Sequence, residues 1–266
     1  MGGARAARLV WLGRRRYGPV HALQQELVAA RGAGRGEDVV LLVEHEPVVT
    51  LGRHADARHV LAPEALLTAA GVELVETERG GDVTYHGPGQ LVGYPILDLK
   101  PDRCDVRRYV RGLAEVMILL AREHGVEAGV VDGLVGVWAD PASPGQWAGA
   151  PWAASLVKLG AIGVRLVRWV TMHGVALNLS TDLAAFGLIV PCGITAHGVG
   201  SVASLTGSAP PSVREVALGS GPALERGLEL EMGAPEDWAG RPLDELARLV
   251  TARAPADGAE LSASGG

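Results

Sequence analysis

Residues 157–178 have the sequence VKLGAIGVRLVRWVTMHGVALN, in which short runs of Val, Leu and Ile are broken by glycines. β-Branched and aromatic residues favour strands over helices, and the same composition extends over residues 130–179. The dipeptide Asp132-Gly133 is typical of a tight turn between antiparallel strands. This part of the chain therefore predicts a set of antiparallel strands.

Helical patterns lie on both sides of these strands. Residues 19–31 have apolar side chains at helical spacing, and the clearest helix begins at Asp105, a good N-cap, and ends at Gly125. A short helix over residues 63–70 and further helices after Pro211 are also expected. Shorter strand-like runs occupy residues 39–43, 72–75, 83–86 and 91–99.

Strands clustered between helices predict the α+β class, with a mixed β-sheet flanked by helices. The sequence contains no internal repeat and no long linker. We expect residues 1–210 to form the main domain, residues 211–253 to form a C-terminal helical part packed on it, and residues 254–266, rich in Ala, Gly and Ser, to form a disordered tail.

Composition excludes several classes of function. The 266 residues carry a formal charge of −6, which gives no general attraction to nucleic acid. No run approaches the roughly 20 apolar residues of a membrane span. Two cysteines do not indicate a disulfide framework in a domain of this size, and the N-terminal residues do not predict a targeting segment. We therefore expect a cytoplasmic protein that binds neither nucleic acid nor membrane.

Lysine is almost absent from the chain. Of the 24 basic residues only Lys100 and Lys158 are Lys, and the rest are Arg. A buried Lys can lose its proton, whereas Arg effectively cannot. Lys158 lies within an apolar, glycine-rich strand, where a charge is costly unless it is paired or neutralised. Lys158 is therefore a candidate functional residue, although two lysines could also remain by chance.

Cys192 is a candidate nucleophile because it stands between Pro191 and Gly193 at the end of an apolar run. Glycine beside a nucleophile lets a substrate or a backbone N–H approach closely. The alternative is a buried structural cysteine, which is the commoner role of a free Cys. Cys104, at a helix start, is expected to lie on the surface.

Residues 79–90 have the sequence RGGDVTYHGPGQ, which is dense in glycine and polar groups between two apolar strands. Such a segment is typical of a ligand-contacting edge, and a tight hairpin is the alternative. It lacks the ending of a phosphate-binding P-loop. His173 has a similar ambiguity between a site residue and a satisfied core histidine. The spacing of His45, His54 and His59 matches no familiar zinc pattern, so no metal site is expected.

Taken together and in this order, three groups of motifs resemble the lipoyl(octanoyl) transferase family, whose members start protein lipoylation. The motifs are residues 79–90, residues 158–163 together with the Thr171-Met172-His173-Gly174 turn and Ala176-Leu177-Asn178, and Pro191-Cys192-Gly193-Ile194. The similarity extends over about residues 39–200. It implies the fold of biotin and lipoate protein ligases, in which residues 1–210 form the catalytic domain beside a smaller C-terminal subdomain.

The resemblance also implies a chemistry. A cysteine at the position of Cys192 carries the octanoyl group as a thioester, and a lysine at the position of Lys158 lowers the pKa of that thiol. The implied acyl site is lined by Arg79, Gly80, Gly81, Asp82, Val83, Thr84, Tyr85, His86, Ala161, Ile162, Gly163, His173, Gly174, Val175 and Ala176. No cofactor is implied. The implied partners are octanoyl-acyl carrier protein, the lipoyl domains of 2-oxoacid dehydrogenase complexes and the glycine cleavage H protein, and a monomer is expected.

Two other functions remain open from the sequence. An ATP-dependent lipoate or biotin ligase of the same fold would adenylate a free acid and would need no cysteine. A non-catalytic protein that binds acyl groups or lipoyl domains would need neither Cys192 nor Lys158. The presence of both residues favours the transferase, and the sequence leaves open whether Lys158 acts as a neutral base or as a cation.

Overall fold

The computed structural model describes residues 5–149, 156–190 and 197–252. The tail predicted over residues 254–266 lies outside these ranges. Within them, no helix is both long enough and apolar enough to cross a bilayer.

Seven helices and thirteen strands make up the described part of the chain, with two short 3₁₀ helices at Ala57–His59 and Leu183–Leu188. The α-helices are α1 (Tyr17–Gly32), α2 (Glu64–Ala69), α3 (Val106–Glu123), α4 (Val202–Thr206), α5 (Val213–Gly219), α6 (Gly221–Leu228) and α7 (Leu243–Ala252). The strands are β1 (Arg5–Arg15), β2 (Asp38–His45), β3 (Val48–Leu51), β4 (Glu73–Glu76), β5 (Val83–His86), β6 (Gln90–Ile96), β7 (Ala128–Val131), β8 (Leu134–Ala139), β9 (Val157–Val167), β10 (Val170–Asn178), β11 (Gly198–Val199), β12 (Leu230–Met232) and β13 (Glu236–Asp237).

The strands form one large mixed sheet and one small sheet. The order in the large sheet is β12-β1-β2-β6-β10-β9-β8-β7, with β11 beside β9 and β13 beside β1. From β2 to β7 along this order all neighbours are antiparallel, whereas β1 is parallel to β2, β12 and β13. The small sheet has the order β4-β3-β5. The prediction of an α+β fold with a mixed sheet flanked by helices is therefore confirmed.

Each face of the large sheet carries its own core. Helices α3, α5 and α6 cover one face, where Leu113 and Met117 of α3 are almost completely buried. Helices α1 and α7 cover the other face, with Leu27 and Leu246 buried against the sheet. Apolar spacing of about 3.6 residues explains these helices, since it gives each of them a single buried stripe. Asp105 caps α3 as predicted, because its side chain accepts a hydrogen bond from the backbone N–H of Arg108.

The C-terminal part contains strands as well as the predicted helices. β12 and β13 both pair with β1, which the sequence analysis did not predict to be a strand. Helix α6 packs against α3, and α7 packs against α1. Residues 211–252 therefore complete both faces and one side of the large sheet, and the domain boundary at residue 210 stays a prediction.

Candidate functional site

An open cleft of about 450 Å³ lies where α1, β5, β6, β9 and β10 meet. Its lining consists of Tyr17, Arg79, Gly81, Thr84, His86, Val92, Tyr94, Ala161, Ile162, Gly163, His173, Gly174, Val175 and Ala176. Most of the acyl-site residues expected from the sequence therefore come together here, although they come from three separate segments of the chain. A second cleft of about 490 Å³, beside β1, α3 and α6, contains none of the predicted site residues.

Four of the expected residues do not line the cleft. The backbone N–H of Gly80 donates to the carbonyl of Val164, which ties this segment to β9. The carboxylate of Asp82 contacts the imidazole of His59. Val83 and Tyr85 are buried in the core beneath the small sheet. These four residues hold the 79–86 segment in place, and the cleft surface comes from their neighbours.

The cleft also contains three residues that the sequence analysis missed. Tyr17 opens α1, while Val92 and Tyr94 lie on β6. The side chains of Val92 and Tyr94 lie on the sheet face that α1 covers. This becomes apparent only when the strand order β6-β10-β9 is known. The alternation of β6 alone would place Val92 and Tyr94 on one face, but it would not say which ligand that face meets.

Arg79 is buried, with only 7% of its surface exposed, and hydrogen bonds hold its side chain in one orientation. Its Nη2 donates to the carbonyl of Thr50 at 2.6 Å and to the hydroxyl of Thr50 at 2.9 Å, and its Nη1 donates to the carbonyl of Gly80 at 3.2 Å. A buried guanidinium held by such bonds is a rigid cation rather than a mobile one. It gives the cleft a fixed positive charge.

Glycines allow this arrangement because they let backbone and guanidinium pack closely. A Cβ on Gly163 would lie 2.9 Å from the carbonyl oxygen of Gly80 and 3.2 Å from Cδ of Arg79. A Cβ on Gly52 would lie 2.3 Å from the carbonyl oxygen of Gly81. The 79–81 segment can therefore lie against β9 only while residue 163 has no side chain.

We expect Gly163→Ala to destabilise the fold by about 1–3 kcal/mol and to lower acyl-transfer activity, because the added methyl group displaces residues 79–80. Thermal unfolding and steady-state kinetics on the two proteins measure both effects. Gly145→Ala is the matched control, since a Cβ there meets no atom within 4 Å. Equal behaviour of the two variants would contradict this account of the cleft.

A cluster of tyrosine and histidine rings lies beneath the cleft. Tyr17 stacks on His86 with ring centroids 6.4 Å apart, and His45 contacts Tyr94 with its Nε2 2.8 Å from the phenol oxygen. Burial lowers the pKa of His45 to about 4 and that of His86 to about 3, the latter with a smaller contribution from His45. Burial also raises the pKa of Tyr94. At neutral pH the rings are therefore uncharged, and they act as hydrogen-bonding groups.

These shifts predict a loss of stability in acid. The pKa of His45 is near 6.5 in the unfolded chain, so below that pH the unfolded chain takes up a proton that the folded chain does not. The contribution is complete above pH 6.5 and is lost as pH falls towards 4, by up to about 1.4 kcal/mol per pH unit. Denaturant unfolding between pH 7 and pH 4 should show a shallower decline for His45→Gln than for the parent. His54→Gln, at an exposed position, should follow the parent, and parallel curves for His45→Gln and the parent would refute the assignment.

Lys158 lies in a smaller cavity that adjoins the cleft. The two cavities share Thr84, Ala161 and Ala176. Lys158 is 7% exposed, and its Nζ lies 5.5 Å from the centroid of the Trp138 ring. A cation at this distance from an indole face is favoured by the ring quadrupole. The predicted buried lysine is therefore present, next to the predicted acyl-site residues.

A bulge explains how Lys158 reaches this cavity. The pairs Val137–Gly160 and Trp138–Lys158 show that β9 contains one more residue than β8 at this point. Strict alternation, which would place Lys158 and Ala161 on opposite faces, is thus interrupted at Leu159. Both residues line the smaller cavity as a result.

A chain of buried polar side chains connects the two cavities. Nδ1 of His86 is 2.7 Å from Oε1 of Gln90, and Nε2 of Gln90 donates to Oδ1 of Asn178 at 2.9 Å. Nδ2 of Asn178 donates to the carbonyl of Gly200 at 3.0 Å. Gln90 and Asn178 belong to the sequence motifs but were not among the predicted site residues. The signal was present, since both are polar residues at the ends of apolar strands.

Cys192 lies outside the described residues, and so do Gly193 and Ile194. The described residues on either side of this segment are held at two places. The backbone N–H of Val190 donates to the carbonyl of His59 at 2.7 Å. On the other side, Val199 of β11 pairs directly with Lys158 of β9.

Comparison with known proteins gives the class of this chain. Among solved structures, the bipartite lipoate protein ligase of Thermoplasma acidophilum superposes with a TM-score of 0.63 at 17% identity, over 94% of this chain and 92% of that one. A lipoate-protein ligase A bound with ATP gives a TM-score of 0.61 at 14% identity, over 95% of each chain. At these identities the likeness concerns the fold, which is that of the lipoate protein ligases.

The sequence comparisons give the family. Residues 16–218 match the model of the lipoyl protein ligase A/B catalytic domain. Curated octanoyltransferases are similar over most of the chain: that of Myxococcus xanthus is 48% identical over 75% of this chain, which spans 54% of that protein, and that of Solibacter usitatus is 47% identical over 69% of this chain and 77% of that protein. The chain belongs to the lipoyl protein ligase A/B catalytic domain family, and the predicted resemblance to the octanoyl-transferring members is confirmed.

Proposed function

We propose that this protein transfers an octanoyl group from octanoyl-acyl carrier protein to the lysine amine of a lipoyl domain, through a thioester on Cys192. The observation that carries the proposal is the position of Lys158, buried beside the cleft and paired through its strand with Val199. Cys192 is seven residues before Val199 and two residues after Val190. The backbone N–H of Val190 donates to the carbonyl of His59, and the imidazole of His59 contacts Asp82 of the 79–86 segment. The octanoyltransferase relatives support the same chemistry.

In the proposed reaction the Cys192 thiolate attacks the carbonyl carbon of the octanoyl thioester, and the carrier thiol leaves with a proton. The lysine amine of the lipoyl domain then attacks the acyl-Cys192 thioester, so that an amide forms and the Cys192 thiol is released. A free thiol with a pKa near 8.5 is only partly ionised at neutral pH. Lys158 is proposed to favour the thiolate, either as a base or as a neighbouring cation.

The cleft offers an apolar wall to an acyl chain. Val92, Ala161, Ile162, Val175 and Ala176 supply apolar surface at its wall. Thr84 lies in the wall shared with the Lys158 cavity. We propose that Thr84 or His86, together with backbone N–H groups near Gly193, stabilises the oxyanion of each tetrahedral intermediate.

The deciding experiment is intact-protein mass spectrometry after mixing with octanoyl-acyl carrier protein. The transferase gains the mass of one octanoyl group without ATP, and it loses this mass when a lipoyl domain is added. A ligase would instead require free octanoate and ATP before any transfer. A non-catalytic binding protein would show no covalent mass change with either donor, which would refute the proposal.

The lipoyl domains of 2-oxoacid dehydrogenase complexes and the glycine cleavage H protein are the proposed acceptors. An acyl-transfer assay with each isolated acceptor would rank them. The cytoplasmic location and the monomeric state expected from the sequence stay predictions.

A further inference from the structure

Three side chains from distant parts of the sequence meet at the edge of the cleft. They are His21 of α1, Glu78 of the segment before β5, and His173 of β10. One nitrogen of each imidazole and one carboxylate oxygen all lie within 4.8 Å of one another. We propose that these three residues bind a divalent transition-metal ion of the zinc class. The proposal depends on these three side chains, of which His173 also lines the cleft, and it gives the ion no part in acyl transfer.

The first support is a group of buried ring nitrogens without hydrogen bonds. In the described ranges six buried side-chain nitrogen or oxygen atoms have no hydrogen-bond partner, and three of them belong to His21 and His173. They are both ring nitrogens of His173 and Nε2 of His21, which lies 3.8 Å from a carboxylate oxygen of Glu78. His173 is 1% exposed. Buried polar groups are nearly always paired, so such a cluster indicates a bound species that supplies the missing partner.

The second support is the backbone at His173. Its φ is +57°, a left-handed conformation inside a strand that a residue with a side chain seldom adopts. The backbone N–H of His173 donates to Oε1 of Gln24 at 3.0 Å, which fixes this conformation from α1. Strain of this kind is found at sites where it orients a functional group. Here the imidazole of His173 lies nearly parallel to that of His21, with ring centroids 5.5 Å apart.

The chemistry of the ligands selects the metal. Two imidazoles and one carboxylate suit ions such as Zn²⁺, Co²⁺ and Ni²⁺, whereas Mg²⁺ and Ca²⁺ prefer oxygen ligands. Burial lowers the pKa of His173 to about 3 and also lowers that of His21, so both rings are in the neutral form that binds metal. Zinc to nitrogen distances are about 2.0–2.1 Å, so binding requires the three side chains to move closer together. Rotation of the imidazole rings about χ2 would bring the nitrogens together, and it would replace the stacking of His21 on His173.

Two cations oppose the bound ion and therefore limit its affinity. Nη1 of Arg165 is 2.9 Å from the carboxylate of Glu78, and the guanidinium of Arg79 lines the same cleft. Removing the charge of Arg165 leaves Glu78 available to the metal and lowers the local positive potential. A variant at Arg165 should therefore bind metal more tightly than the parent, which a merely structural cluster would not explain.

Equilibrium dialysis of the full chain against Zn²⁺ tests the proposal. We expect one Zn²⁺ per chain at this site, weakened at least about tenfold by His21→Phe and by Glu78→Gln, since even residues that only support metal ligands typically cost 10–100-fold. Arg165→Gln should bind Zn²⁺ more tightly than the parent. His21→Phe keeps the ring that stacks on Tyr17 and His173, so circular dichroism and acyl transfer measured separately show that the variant folds.

Co²⁺ provides the second measurement, because its absorption spectrum distinguishes nitrogen and oxygen ligands from thiolate ligands. A spectrum without thiolate charge transfer, and with reduced intensity in His21→Phe, supports the proposal. His124→Gln, at the C-terminus of α3, is the control and should match the parent. Thiolate charge transfer would assign the ion to a cysteine and overturn the proposal, as would equal Zn²⁺ affinity of the parent, His21→Phe and Glu78→Gln.

Discussion

Cys192→Ser is expected to abolish octanoyl transfer, with kcat falling at least about 10⁴-fold, the order seen when the nucleophile of a covalent mechanism is removed. A serine hydroxyl has a far higher pKa than a thiol, and the role proposed for Lys158 cannot supply the missing ionisation. The measurement is acyl transfer to a lipoyl domain under steady-state conditions. Intact mass spectrometry of the same variant should show no acyl-enzyme.

Cys104→Ser is the matched control because it removes the other thiol. Cys104 is exposed just before α3, and its Sγ lies 3.6 Å from the carbonyl of Leu99. It lines neither the cleft nor the Lys158 cavity. We expect the control to keep most of its activity, and loss of activity equal to that of Cys192→Ser would reverse the assignment of the nucleophile.

Lys158→Arg is expected to be nearly as damaging as Lys158→Ala, with losses of about 10²–10⁴-fold in kcat, the range associated with a positioned acid or base. Arg keeps the charge, but it cannot accept a proton at neutral pH and its planar head is larger. The space is limited: a Cβ added to Gly136 would lie 2.7 Å from Cε of Lys158. The rate of acyl-enzyme formation, followed by mass spectrometry, is the appropriate measurement.

Lys100→Arg is the control for this substitution, since Lys100 is the only other lysine of the chain and pairs with Asp98 at 3.5 Å. This pair is partly exposed, and such pairs contribute little to stability. The control should be as active as the parent. Near-normal activity of Lys158→Arg would exclude the role of base and leave charge stabilisation of the thiolate.

The elements that the sequence predicted correctly are those with strong local signals. The helix opened by Asp105 has a cap and a continuous apolar stripe, and the antiparallel strands between residues 130 and 179 have both composition and a turn signal. β1 was missed because its apolar core, Leu9 to Leu12, is short and flanked by arginines. Its partners β12 and β13 are two or three residues long and have no pattern of their own.

The part of the candidate site that lies in sequence motifs could be predicted. The part that depends only on the topology of the fold could not. Residues 79–86, 161–163 and 173–176 were expected at the site because of the family resemblance that their motifs carry, and most of them line the cleft. The grouping of His21, Glu78 and His173 has no such motif, because it requires α1, the segment before β5 and β10 to meet. No metal site was expected because the spacing of His45, His54 and His59 matches no zinc pattern. His21, Glu78 and His173 meet only through the topology of the fold.

The pairing of β1 with β12 and β13 has a consequence for synthesis of the chain on the ribosome. β1 leaves the ribosome well before its partners, since Leu230–Met232 and Glu236–Asp237 follow more than 200 residues later. At roughly 5–20 residues per second this interval lasts about 10–40 s. During that time one edge of β1 has no partner from its own chain, and an open edge can pair with other chains. Nascent or prematurely terminated chains are thus the form of this protein most exposed to aggregation, and chaperone assistance would matter most before residue 237 emerges.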